Sequence, residues 1–311
     1  MSVNKREDLR ILVIGGAGFI GSHLVHSLKD KYKITVADNL SLGVRENIPI
    51  SVDFRVMSAG EISLLSEEYD IVFHLGIPSS SPMYKRDPQL VGKTINEMIS
   101  VLEYCKKYGA KLIYASTSSI YNGNPLPFKE DMPIHVTDYY TECRYSIERL
   151  AKLYHKLYSV SSIGLRFFSV YGERERHKGR YANLVSQFLW AIMRDKQPLI
   201  YGDGEQTRDF VYVGDVVEAL EKSMYLLLDN DSVCEIINVG RGVSHSLNEL
   251  VEMINLTLGK DIRPKYVKNP IQNYVFHTLA DTSKAEEILG FKARICLKKG
   301  IELLARFYGQ L

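Results

Sequence analysis

Four cysteines, Cys105, Cys143, Cys234 and Cys296, are all that this chain of 311 residues carries. No two stand as a C-x-x-C pair, so neither a disulfide framework nor a zinc site is expected, and buried or idle thiols are the default. An excess of charge is missing as well. Lys plus Arg is 39 against Asp plus Glu 37, a formal net charge of +2, which builds no field to hold a polyanion; nucleic acid is not an expected partner. Long apolar runs are absent too. Ile11–Ile14 and residues 70–77 fall far short of the roughly 18 residues a membrane-spanning helix needs, so no membrane partner is expected. The opening, Met1 to Arg10, is charged and polar without an apolar segment ahead of a small-residue cleavage site. That argues against a secretory signal and for a cytoplasmic protein. His74, His245 and His277 show no metal-ligand spacing, so hydrogen-bonded structural histidines are expected and no metal.

What the chain does have is length for two lobes, at roughly 150 residues each, and a regular alternation of strands and helices. Arg10–Ile14 is a β-branched run ending in glycines, and Phe19–Leu28 follows with apolar residues at helical spacing. Strands are expected at 33–37, 70–75, 111–115 and 162–168, with helices at 94–108 and 140–158 between the later ones. This order implies parallel strands joined by right-handed crossovers, a doubly wound α/β sheet of Rossmann type with helices on both faces. Past about residue 170 the pattern loosens into short strands at 198–201 and 235–239 and helices at 215–228 and 247–258. The expected division is a Rossmann domain over 1–170 and a smaller mixed α/β substrate lobe over 171–311, with some segments returning to the main sheet.

Gly15-Gly-Ala-Gly18-Phe-Ile-Gly21 joins the first strand to the first helix. A turn without side chains there lets a pyrophosphate approach backbone N–H groups and the positive end of the helix. Asp38 ends the second strand about twenty residues on, where a carboxylate accepts from both ribose hydroxyls and repels a 2′-phosphate, which favours NAD over NADP. Asp38 equally suits the start of the turn Asp38–Gly43.

These glycines, Asp38-Asn39-Leu40, Tyr114-Ala-Ser-Thr-Ser-Ser-Ile-Tyr121, Tyr140 and the run Gly202–Val213 together resemble extended short-chain dehydrogenases acting on nucleotide sugars, nearest the UDP-glucose 4-epimerase group. The resemblance covers nearly the whole chain, from Ile11 to Gly290. It implies that NAD is the cofactor, held by Gly15, Gly18, Phe19, Ile20, Gly21, Asp38, Asn39, Ser41 and Gly43, by the turn Leu75-Gly76-Ile77, and by Asn96, Tyr140 and Arg144. It implies a nucleotide-diphosphate sugar as substrate, met by Ser79, Thr117, Ser118, Tyr140, Ser169, Asn183, Leu199 and Tyr201, with Arg208 on the diphosphate. Tyr140 and Thr117 would then hold the reacting hydroxyl, with Arg144 beside them. A tyrosine suits this task because removing an alcohol proton while hydride leaves its carbon calls for a base that can return the proton. The ordinary phenol pKa near 10 calls for a nearby cation to favour the phenolate near pH 7.

Three departures from the family pattern bear on the reaction. Arg144 stands where the family motif Y-x-x-x-K has lysine; the charge is kept, so Arg144→Lys is expected to retain activity, while a planar fork copies a lysine's ribose contact poorly. Ser118-Ser119 follow Thr117 where related dehydratases and decarboxylases place a carboxylate, which favours simple oxidation and re-reduction at C4. Ser169 replaces the asparagine common in galactose epimerases, and no second diphosphate arginine appears near 269–274. The basic stretch Glu173–Arg180 would suit a sugar carboxylate, or a solvated face. Dehydratase, decarboxylase and non-catalytic binding readings of the same fold stay open. A homodimer joined through the helix over 94–108 and the one starting near Tyr140 is expected, because the former carries a second apolar stripe, Val101, Tyr104 and Tyr108, more than one sheet face buries.

Overall fold

In the computed structural model, which describes residues 9–271 and 273–309, the first half of the chain alternates as expected. Its elements are β1 (Arg10–Ile14), α1 (Phe19–Leu28), β2 (Lys33–Asp38), β3 (Asp53–Val56), β4 (Ile71–His74), α2 (Ser81–Arg86), α3 (Leu90–Tyr108), β5 (Lys111–Thr117), α4 (Tyr139–Tyr158) and β6 (Ser162–Phe167). The second half follows with β7 (Ser169–Tyr171), α5 (Leu184–Met193), β8 (Leu199–Tyr201), β9 (Thr207–Tyr212), α6 (Val213–Asp229), β10 (Cys234–Val239), β11 (Ser244–Ser246), α7 (Leu247–Leu258), β12 (Lys265–Val267), α8 (Ser283–Leu289) and α9 (Leu297–Gly309). The signal reading of the opening, up to residue 8, lies outside the described residues, as does Gln272 of the segment 269–274.

Seven strands form one sheet in the order β10-β6-β5-β4-β1-β2-β3, every pair parallel. Strand alternation sorts its side chains into two cores. Ile11 and Val13 of β1 point into one that reaches α1 and α6, while Leu12 and Ile14 point into another with Met98 and Leu102 of α3 and Ile147 of α4. The chain order of strands reverses between β1 and β4, so a crevice opens at their carboxyl ends. A third core gathers α5, α7 and α9 beside β8 and β9, and the small sheets β11-β9-β7 and β12-β8 border it.

Five strands, β3, β7, β9, β11 and β12, were not foreseen. β3 has no buried residue, so no apolar alternation marks it, and β9 lies inside the run 202–213 that resemblance assigned to substrate contact. The expected second stripe of α3 needs correction. Val101 and Tyr104 are buried within the chain itself: the Tyr104 hydroxyl donates to the Glu67 carbonyl at 2.6 Å, and its ring packs on Tyr69 and Tyr108. That stripe is already covered and gives no argument for a second subunit. Among the described residues, no helix is long and apolar enough to cross a membrane.

Candidate functional site

The glycine loop owes its residue types to close packing. Gly15 has φ +78°, and a Cβ there would stand 2.2 Å from the Gly76 backbone; one on Gly21 would stand 2.2 Å from the Gly15 carbonyl. The loop is thereby pressed against the turn after β4, and no side chain caps the first turn of α1, which also carries no acid. Its N–H groups and positive dipole end are left for an anion.

One cavity is lined by Gly15, Gly18, Phe19, Ile20 and Gly21 from this loop, by Asp38, Asn39, Ser41 and Gly43 after β2, and by Leu75, Gly76, Ile77 and Ser79 after β4. Asp38 is buried; its two carboxylate oxygens accept from Leu40 N at 2.8 Å and Ala17 N at 2.9 Å. Burial pushes its carboxyl up, against the pull of those N–H donors. A dinucleotide fits this lining: bare glycine backbone and a free helix end for its diphosphate, and a carboxylate for a ribose.

Asn96 is a correction. It is exposed on α3 and stands apart from the cavity, which Lys93 and Glu97 line instead; Thr94 turns inward to meet the Tyr84 hydroxyl at 3.2 Å. Residue 97 lies about 40° to one side of 93 around the helix and 96 about 60° to the other, and the cavity takes in the side of 97. Lys93, Glu97 and Met83 are cavity residues that motif reading missed, since none sits in a recognisable spacing, and His177 and Lys178 of the basic stretch also line the cavity.

Tyr140 and Arg144 are not part of this lining: Arg144 reaches it through Pro78, and Tyr140 packs in a cluster with Met83 and Leu90, all three of which belong to it. Both Tyr140 and Arg144 are buried. The Arg144 fork donates from Nη1 to the Ala115 carbonyl at 3.0 Å and from Nη2 to the Pro78 carbonyl at 2.9 Å, with its guanidinium carbon 5.2 Å from the Tyr140 ring centre. Burial works against its charge, but Tyr140 and Tyr84 outweigh that and hold the guanidinium above its usual value. Thr117 ends β5 and caps the short turn after it, its Oγ1 accepting from Ser119 N at 3.2 Å, so its own O–H remains a donor; Ser118 is buried beside it. His74, at the end of β4, is fully buried with neither ring nitrogen hydrogen-bonded, unlike the partnered histidine expected. Burial, then the charge of Arg144, push its pKa down to about 3.

The expected substrate residues come from separate stretches. Ser169 opens β7 in register with Phe210 of β9. Arg208, on β9, donates to the carbonyls of Thr207 and Phe276 and lies over the Tyr274 ring at 5.2 Å. Leu199 and Tyr201 are exposed on one side of β8, with Ile200 buried on the other. Asn183 caps α5 by accepting from Val185 N at 3.0 Å. The basic stretch disperses: Arg176 lies over Tyr308 and Arg180 over Tyr181, while Lys178 bonds the buried Glu175 at 2.7 Å. His245 pairs with Glu249 at 3.5 Å and His277 meets Thr207 at 3.1 Å. A second, polar cavity of about 670 Å³ lies between α4, β10 and α8 and contains none of these expected site residues.

Residues 11–240 match the model of the NAD dependent epimerase/dehydratase family. The chain belongs to that family. NAD is its cofactor. A protein from Methanocaldococcus jannaschii, provisionally named a UDP-glucose 4-epimerase, is 38% identical over 94% of this chain and 96% of its own length. UDP-glucuronic acid decarboxylase 6 from Arabidopsis thaliana is 33% identical over 96% of this chain and 88% of its own. The structure of UDP-glucose 4-epimerase from Thermotoga maritima with UDP-glucose superposes with a TM-score of 0.89 at 31% identity, covering 97% of this chain and 99% of that one.

Proposed function

We propose that the protein epimerises C4 of a nucleotide-diphosphate sugar through a 4-keto intermediate, acting as a cytoplasmic homodimer. The observation that carries this reading is Tyr140 buried beside Arg144, on a helix whose guanidinium is seated on the strand that ends at Thr117. Tyr140 takes the proton of the sugar 4-hydroxyl and later returns it, and Arg144 holds the phenolate by charge. Thr117 keeps the hydroxyl in place with its free O–H. The glycine loop and Asp38 would hold NAD, which supplies an acceptor and donor of hydride when bound. Arg208, with its fork of donors, suits the substrate diphosphate.

Ser118-Ser119 offer no carboxylate for a second proton, which supports epimerisation over elimination. The decarboxylase reading comes second, on the strength of the Arabidopsis relative. A non-catalytic binder is third. Incubation with a panel of UDP- and dTDP-hexoses and uronates, with products followed by NMR, separates these: an isomer of unchanged mass supports epimerisation, loss of carbon dioxide or water replaces it with the second reading, and binding without turnover with the third. The dispersed basic stretch favours a hexose over a uronate. One charged contact to a carboxylate is worth roughly 2 kcal/mol, about thirtyfold in kcat/KM; a preference of that size for UDP-glucuronate over UDP-glucose overturns the hexose reading.

A further inference from the structure

Two turns beyond Tyr140 and one beyond Arg144, on the same face of α4, stands Glu148. It is buried, as is its partner Arg166 on β6. Arg166 holds the carboxylate with both arms of its fork, Nε to Oε1 at 3.0 Å and Nη2 to Oε2 at 2.7 Å. Each member of this pair also takes hold of the segment that carries Thr117 and Ser118. Ser116 Oγ donates to Glu148 Oε1, immediately before Thr117. Arg166 Nη1 donates to the Tyr121 hydroxyl at 2.6 Å, and that hydroxyl donates on to Asn238 of β10 at 2.8 Å, at the far end of the turn after Thr117. Consecutive residues of β5 are therefore tied to successive turns of α4, Ala115 to Arg144 and Ser116 to Glu148. The rigid β5–β6 register places Ser116 opposite Arg166.

We infer that Glu148 and Arg166 are a positioning pair for the reaction: by clamping residues 116–121 at both ends and seating α4 against β5, they set the distance between Thr117 and Tyr140. This rests on the epimerase reading of those two residues. A buried, bidentate ion pair suits the task because its geometry is directional and charge-assisted hydrogen bonds are strong where little water competes. It lies beside the 670 Å³ polar cavity, away from the cofactor lining, so it acts through the two residues it holds.

The test uses variants that loosen the clamp and spare the ion pair, because Glu148→Gln leaves Arg166 short of its counter-charge and unfolding would obscure the result. Ser116→Ala and Tyr121→Phe each remove one tie. For each, kcat is expected to fall about tenfold, the scale on which small misplacements act, with KM for the nucleotide sugar and the dissociation constant for NAD within about twofold. Folded Ser116→Ala and Tyr121→Phe enzymes with the parent kcat, even at a lower Tm, overturn the proposal. If the parent enzyme turns over no sugar in the panel, the epimerase reading fails by itself, and hydrogen exchange decides the clamp: faster exchange confined to 115–121 in Ser116→Ala supports it, and unchanged exchange there overturns it.

Discussion

The half of the molecule around the glycine loop and the half around Arg208 hold their functional groups by different means. In the first, glycines of the loop and of the turn after β4 form part of the cavity wall, set by adjacent parallel strands β1, β2 and β4 and by approaches so close that Gly15 and Gly21 leave no room for a Cβ. In the second, Ser169, Asn183, Tyr201 and Arg208 sit on strands of three to six residues and on a helix cap. Arg208 is steadied by Phe276 and Tyr274 from nearly seventy residues away. A site of packed backbone tolerates almost no change of residue type, whereas a site assembled from distant side chains tolerates change residue by residue.

The largest effect belongs to Tyr140, where the two halves meet. Tyr140→Phe is expected to lower kcat by about 10³ or more, since general acid–base groups contribute roughly 10²–10⁴, while NAD still binds within about threefold of the parent because the cavity lining is untouched. Product formation at a tenth of the parent rate removes Tyr140 from the proton transfer. Next comes the loop. Gly15→Val drives a side chain into Gly76 at a positive φ, and NAD affinity is expected to fall roughly a hundredfold. Near-normal NAD affinity by calorimetry would show that backbone contact does not shape this half. Leu199→Ala is the counterpart in the other half, with NAD affinity unchanged and KM for the nucleotide sugar raised severalfold.

The same contrast explains what could be read in advance. Glycine spacing, Asp38 and the strand–helix alternation are local, and the structure sets the glycines between β1 and α1 and Asp38 at the end of β2. Asn96 failed because its choice depends on how α3 is rotated about its axis, which spacing from Leu75 does not determine. Glu148 and Arg166 were passed over because their importance comes from meeting across α4 and β6, eighteen residues apart with no motif of their own. The sequence shows the charge of Arg144 and the fork that copies a lysine's ribose contact poorly, but its two carbonyl bonds are invisible without the turn at Pro78.

Those bonds revise the expectation for lysine at 144. A compact ammonium keeps the charge beside Tyr140 but does not span the Ala115 and Pro78 carbonyls as the fork does. Arg144→Lys is therefore expected to lose about tenfold in kcat, roughly one hydrogen bond, and Arg144→Met, without charge or donors, at least tenfold more. Equal activity of the Met variant and the parent would exclude Arg144 from the mechanism.

His74 gives a smaller, pH-dependent effect. Its pKa is about 3 when folded against an ordinary 6.5, so between those values the unfolded chain binds a proton that the native protein does not. Stability is then expected to fall as pH drops below 6.5, by about 1.4 kcal/mol per unit at most, with no contribution from His74 above that pH. Urea midpoints at pH 7, 6, 5 and 4 measure this. His74→Gln should flatten the dependence, and an equally steep loss in that variant would assign it to other groups, His23 and His177 being the next in line, since burial lowers their pKa values too.

The smallest change is a factor of two in particle mass. With the second stripe of α3 covered by its own chain, the case for a homodimer moves to α4, where Leu153, Leu157 and Tyr158 stay 47–57% exposed, a cluster of apolar surface of the kind that marks an interface. Leu153 lies five residues past Glu148 and Leu157 nine past it, about 140° and 180° around the helix at roughly 100° per residue. The face that Leu153 and Leu157 share is thus turned away from the face that holds Tyr140, Arg144 and Glu148. Light scattering at micromolar concentration should give twice the 35.4 kDa chain mass, and Leu153→Glu with Leu157→Glu should halve it while kcat stays within about twofold, because neither residue reaches the reacting end of α4. A parent protein that scatters as a single chain would leave this apolar face without a second copy to cover it. A halved mass accompanied by lost turnover would instead show that α4 depends on its partner to hold Tyr140 in place.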